Sequence, residues 1–188
     1  MSQLFNNIFN SQVSLDKACG ISKNAIIHQN ITKNDEEYVI HVHSGQQRFD
    51  SFCPEVEILG NNGAKYSFKV AGEYDGIQHD EDDLDKNPFC SNEIEFIKMK
   101  ARDYAKNEVS YNTKVVLIRL KEVEGFNRRK LLHNQKEVLK EIIRQFNSQI
   151  IHLFGYNNVR LKYNPFLIVN PLEIKEPRRF IGPIDDFI

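Results

Sequence analysis

The apolar residues of this chain change period along its length, and that change restricts the fold more than any other feature of the sequence. Tyr38, Ile40 and Val42 alternate with Val39, His41 and His43, and Tyr66, Phe68 and Val70 alternate with Lys65, Ser67 and Lys69. A period of two lines one face of a strand. Arg48 to Leu59 is also extended, with Pro54 marking an edge or a bulge, and Gly60-Asn61-Asn62-Gly63 is a strong turn signal. The period then lengthens. Ile94, Ile97, Ala101, Tyr104, Ala105 and Val109 recur at three and four, which predicts one apolar helix face from about Asn92 to Val109. Val115-Val116-Leu117-Ile118 is unbroken, the composition of a buried central strand. A second helix is predicted from about Arg128 to Phe146 or beyond, with Leu131, Leu132, Gln135, Val138, Leu139, Ile142 and Phe146 as its stripe. Ser14 to Ala18 opens a short helix that Gly20 closes, and Leu161 to Val169 reads as a last strand before a tail extended by Pro171, Pro177 and Pro183. The order βββ-α-β-α-β predicts an α+β (α/β layered) domain, a central mixed sheet flanked by helices. It divides into an N-terminal segment (1–30), a core (31–125) and a C-terminal helix, strand and extended tail packed on that core (126–188).

Composition removes several classes. With 188 residues, 40% of them hydrophobic and 27% charged, the chain can bury a core. No run of 18 apolar residues is present, so no membrane span is expected, and MSQLFNNIFN lacks the basic and hydrophobic regions of a signal peptide. The net charge is −1, so binding to nucleic acid or to an acidic surface requires a local patch. Cys19, Cys53 and Cys90 are far apart and odd in number. That pattern supports neither a disulfide framework nor a thiolate zinc site, and the expectation is a reducing intracellular compartment, cytoplasmic or nuclear.

The acidic residues carry the chemistry. Asp50 lies in one extended segment, and Glu73 and Asp75 share one face of the next. If the two segments pair as a hairpin across Gly60–Gly63, three carboxylates converge, and like charges at that distance call for a cation. Mg²⁺, or Mn²⁺ in its place, held by a few oxygen ligands is the usual means of hydrolysing a phosphodiester. Gln78 and His79 follow within reach of the same point, and His79 is the candidate general base because its ordinary pKa lies near neutrality. The plainer reading is that acids before Gly76 are turn residues. Asp80 to Asp85 reads as a solvated loop, lacking the central glycine of a calcium loop. His41 and His43 share a strand face, which suits a metal, but the sequence suggests no third ligand. No Ser-His-Asp or Cys-His nucleophile motif and no glycine-rich phosphate loop is present.

Four windows in order resemble the PD-(D/E)XK nuclease superfamily, most closely its branch of small proteins related to very-short-patch repair endonucleases and phage-encoded endonucleases. They are Arg48-Phe49-Asp50-Ser51-Phe52-Cys53-Pro54, Glu73-Tyr74-Asp75-Gly76-Ile77-Gln78-His79, Ala101-Arg102-Asp103-Tyr104-Ala105-Lys106 and Leu117-Ile118-Arg119-Leu120. The resemblance covers about residues 47–121, and the second window is its specific part. Asp75 stands where the family has a lysine two residues after the acid. The resemblance implies a restriction-endonuclease-like core and Mg²⁺-dependent endonuclease activity, on DNA rather than RNA. Asp50 and Glu73 would be metal ligands, with Asp75 a third ligand or a supporting group, and Gln78, His79 or Lys106 would take the lysine's role. Lys98, Arg102, Lys106, Arg128 and Arg129 are candidate contacts to backbone phosphates. The alternative is a nuclease-fold protein that no longer cuts and serves as a nucleic-acid- or protein-binding subunit. Phe180, Ile181, Ile184, Phe187 and Ile188 in the tail are apolar, and would either pack back on the domain or dock on a protein partner.

Overall fold

The computed structural model describes residues 12–76, 90, 92–121 and 135–162. Its architecture is α+β, with a mixed sheet flanked by helices. In chain order the elements are β1 (Val13–Ser14), α1 (Leu15–Cys19), β2 (Ile26–Lys33), β3 (Glu36–His43), a single 3-10 turn (Ser44–Gln46), β4 (Arg48–Phe49), β5 (Ser51–Leu59), β6 (Lys65–Asp75), α2 (Glu93–Asn112), β7 (Val115–Lys121) and α3 (Gln135–Phe154). The short α1 ends where the sequence predicts. Gly20 takes the left-handed conformation (φ 68°) that an L side chain resists, and its N–H closes on the Asp16 carbonyl. Helix α2 starts at the predicted Asn92, whose side chain accepts the Glu95 amide at 3.0 Å.

The main sheet runs β5-β6-β7, with β5 antiparallel and β7 parallel to β6. Helix α3 covers one face. Phe68, Val70, Val116 and Ile118 from the sheet pack there against Val138, Ile142, Phe146 and Ile150. Helix α2 covers the other face and is itself covered by the β2–β3 hairpin, so hairpin, helix, sheet and helix form successive layers. Ala101 and Ala105, both fully buried, let the hairpin residues Ile31 and Val42 come close to the helix. Leu15 and Ala18 of α1, with Phe49, Phe52, Ala71, Val115 and Leu117, fill the space beside α2.

Three expectations change. Val115–Lys121 is buried on both faces, but among the described strands it is an edge and β6 is central. Burial on both faces produces an unbroken apolar run whether or not both edges are paired. Ile94 and Tyr104 are exposed, at 56% and 45%, while Phe96, Ile97 and Met99 are buried. Because α2 is covered on two sides, its buried positions do not form the single stripe that a period of three and four implies. The hairpin strand β2 begins at Ile26, so a boundary after residue 30 falls inside a paired strand. Pro54 lies on the other edge strand, β5, beside a register shift between Cys53 and Val56, as its chemistry demands. Residues 128–134 and 163–188, with the predicted start of the second helix, nearly all of the last strand and the tail, lie outside the described residues. No helix among the described residues is long and apolar enough to cross a membrane.

Candidate active site

The β5–β6 register pairs Ser51 with Gly72, which sets Asp50 beside Glu73, as the hairpin reading requires. An Asp50 carboxylate oxygen accepts the Tyr74 backbone N–H at 2.9 Å. Residues 71, 73 and 75 share the α2 face of β6, and the parallel register places Arg119 of β7 next to Glu73. Glu73 and Asp75 are only 5% and 3% exposed. Buried carboxylates without partners are costly, so each must be answered by a cation or a proton.

Both are answered by cations of this chain. Lys106, two-thirds of the way along α2, donates to both oxygens of Glu73 at 2.9 Å. Arg119 Nη1 donates to Asp75 at 2.6 Å. The remaining nitrogens of Arg119 are also engaged, Nε with Asn107 Oδ1 at 2.9 Å and Nη2 near the Asp103 carboxylate at 3.6 Å. A guanidinium fixed at three points cannot swing away as a lone lysine can. Burial pulls the Arg119 pKa down, but Asp75 and Asp103 outweigh it and hold the group above its ordinary value.

Glu73 is the perturbed group of the cluster. Burial pushes its pKa up from 4.5 to about 7; Lys106 and Arg119 oppose this, and the neighbouring Asp50 charge adds to it. A buried carboxyl poised near neutrality, with two cations and one anion as neighbours, changes proton occupancy at working pH.

The donor set fits a hard divalent cation in part. Asp50 and Glu73 offer adjacent oxygen ligands, which suits Mg²⁺, an ion that keeps several waters. Asp75 stands two residues further along β6, with its carboxylate paired to Arg119. Among the described residues no group of three or more His, Cys, Asp or Glu side chains is arranged to hold a metal ion, His41 and His43 included. Cys19, Cys53 and Cys90 are free thiols.

The other candidates divide. Lys98 and Arg102 lie about two turns and one turn before Lys106 on α2, and line a groove of about 330 Å³ with Val39 to His43, Gln46 and Gln47. Gln78, His79, Arg128 and Arg129 lie outside the described residues. Sequence reasoning assigned no role to Arg119, although it stands in the fourth window; its signal was an arginine inside an otherwise apolar strand. Comparisons of the chain with protein-family models, with curated proteins and with solved structures return no match.

Proposed function

We propose that the chain is a metal-dependent nuclease with a restriction-endonuclease-like core, hydrolysing phosphodiester bonds in nucleic acid, DNA rather than RNA. The observation that carries this is that the half-buried Asp50 lies beside the buried Glu73, whose carboxylate Lys106 holds, the three residues coming from separate segments. Two acids and a lysine form the set that the resemblance leads one to look for, with the lysine supplied by α2 in place of the position Asp75 holds. The hairpin β5–β6, followed by α2 and a parallel β7, supports the same core.

Asp50 and Glu73 would hold the divalent cation, which supplies charge neutralisation and an activated water. Lys106 holds the Glu73 carboxylate in place and puts a positive charge where a phosphate oxygen gains negative charge during attack. Arg119 keeps Asp75 and α2 in register with the sheet, and so positions Lys106 without touching substrate. Glu73, with its pKa at about 7, binds a cation only after losing its proton, so activity should rise with pH through that value.

The test is cleavage of labelled single- and double-stranded DNA with Mg²⁺ or Mn²⁺. Asp50→Asn, Glu73→Gln and Lys106→Met should each lower the rate by about 10²-fold or more, and a chelator should stop the reaction. Unchanged cleavage in all three variants would refute the assignment.

A second reading has its own support. Glu73 and Asp75 are already neutralised within the chain, which suits a protein that binds nucleic acid without cutting it. Calorimetry with Mg²⁺ separates the two: heat that disappears in Asp50→Asn favours the enzyme, and no heat favours the binding subunit.

A further inference from the structure

Strand β3 pairs with β2 along one edge, and among the described residues no strand pairs with the other. The Ser44 amide donates to the Ala25 carbonyl at 2.9 Å, toward β2. By strand alternation the backbone N–H and C=O groups of Val39, His41 and His43 therefore face away from it. They face the groove whose opposite wall is α2, where Lys98 and Arg102 stand exposed. Neither cation enters an ion pair or hydrogen bond among the described residues.

Lys98, Arg102 and Lys106 recur every fourth residue on α2, each about 6 Å further along the helix. The first two line the groove, and the third holds Glu73. Gln46 and Gln47, which line the groove, stand four and three residues before Asp50 in the chain. A row of cations thus starts in the groove and ends at the acid cluster.

We propose that this groove is the track of a single nucleic-acid strand, its phosphates on Lys98 and Arg102 and its bases against the open edge of β3, leading the next phosphodiester to Lys106. The proposal rests on the nuclease reading for what happens at the end of the track, but not for the track itself. The open backbone edge selects the single strand. It offers donors and acceptors in alternation, and only unpaired bases have free edges to meet them, because a duplex uses those edges in pairing. His41 and His43 are exposed on the hairpin face turned away from α2, and the His41 ring meets His28 edge to face at 4.8 Å. An acidic peptide would satisfy the edge and the cations equally, but nothing in such a ligand accounts for the continuation of the row to Asp50 and Glu73.

The experiment is fluorescence anisotropy of the full chain in chelator, so that no cleavage occurs, with a twelve-residue thymidine oligonucleotide, the same strand paired with its complement, and a Glu-Val repeat peptide. The single strand should bind about 10-fold more tightly than the duplex. Lys98→Ala/Arg102→Ala should weaken it about 10-fold or more and reduce the salt slope by about 1.4, two contacts at about 0.7 each. An unchanged melting temperature shows that the variant is folded. Because these are surface positions, Lys98→Arg/Arg102→Lys should retain binding and confirm that charge is what matters. Duplex binding as tight as the single strand, tight peptide binding without oligonucleotide binding, or an unaffected double alanine variant would each overturn the track. The nuclease reading fails separately. Oligonucleotide binding that depends on Lys98 and Arg102, with no cleavage under Mg²⁺ or Mn²⁺, keeps the track and removes the enzyme. Cleavage that Lys98→Ala/Arg102→Ala leaves intact does the reverse.

Discussion

The two faces of the β5-β6-β7 sheet are built from alternate residues of the same strands and could hardly differ more. Toward α3 the residues are Phe68, Val70, Val116, Ile118 and Leu120, and the face stays apolar to its end. Toward α2 the row begins apolar with Ala71, Val115 and Leu117, then turns charged at Glu73, Asp75 and Arg119. The change comes within one step of each strand, at Gly72 in β6 and Ile118 in β7. One face therefore serves stability alone. The other keeps its apolar half for anchoring α2 and gives its second half to ionised groups, each bought out of water by a partner on the same face or on α2. A site on a rigid strand backed by a dry, fully packed opposite face holds its geometry more tightly than one on a loop.

The largest expected effect lies on the apolar face. Phe146, 2% exposed, meets Phe68 edge to face with ring centres 5.8 Å apart. Phe146→Ala should destabilise the protein by about 3–5 kcal/mol in denaturant titration, since the rigid sheet cannot collapse into the cavity. Activity of the remaining folded fraction should be unaffected. A loss under about 1 kcal/mol would show that α3 is a loosely held cover rather than half of the core.

On the charged face the effect is expected in pH dependence. The unfolded chain releases the Glu73 proton near pH 4.5, whereas the native state keeps it to about 7. Between those values the native state binds more protons, so stability falls as pH rises, by about 3 kcal/mol across the window. Glu73→Gln cannot titrate. The stability difference between wild type and variant should therefore shift toward the variant from pH 4.5 to 7 and be flat outside that window. Parallel curves for the two proteins would mean that Lys106 holds Glu73 ionised throughout, and would move the titrating group of the pH–activity profile elsewhere.

Much of this contrast is legible in the sequence, and the part that is not has a definite cause. The alternations over Tyr38–Val42 and Tyr66–Val70 locate two strands, and the Gly60–Gly63 turn by itself would set Asp50 opposite Tyr74; the register shift between Cys53 and Val56, where Pro54 stands, moves Asp50 beside Glu73. The partners of the acids do not follow. Arg119 is 44 residues from Asp75 and reaches it through the parallel β6–β7 register, whereas Lys106 is 33 from Glu73 and meets it only through how α2 lies across the sheet. That placement is set by packing on both sides of the helix, the same circumstance that leaves Ile94 and Tyr104 in solvent. Periodicity reports one buried face well and two poorly. Nor does an apolar run say whether a strand is central, which is why β7 reads as central and stands at an edge among the described strands.

How that edge is closed gives the smallest effect and the finest test. Gln149 of α3 accepts the Leu117 N–H at 2.8 Å and donates to the Leu117 carbonyl at 2.5 Å. Gln145 does the same for Arg119, at 2.8 and 2.6 Å. Four residues along a helix advance about 6 Å and two along a strand about 6.6 Å, so glutamines at this spacing match the outward-facing backbone groups of β7. The two side-chain amides take the place of a neighbouring strand, and they fix α3 to the residue, Arg119, that organises the opposite face. Gln149→Ala leaves a buried N–H and C=O unanswered and should cost about 1–2 kcal/mol, with faster hydrogen exchange at the Leu117 amide. Gln149→Glu still accepts the N–H but cannot donate to the carbonyl at neutral pH, so Leu117 exchange should stay closer to wild type than in Gln149→Ala. Equal exchange in wild type and both variants would mean that the edge is protected by something other than its glutamines, and that the charged face is independent of the helix behind it.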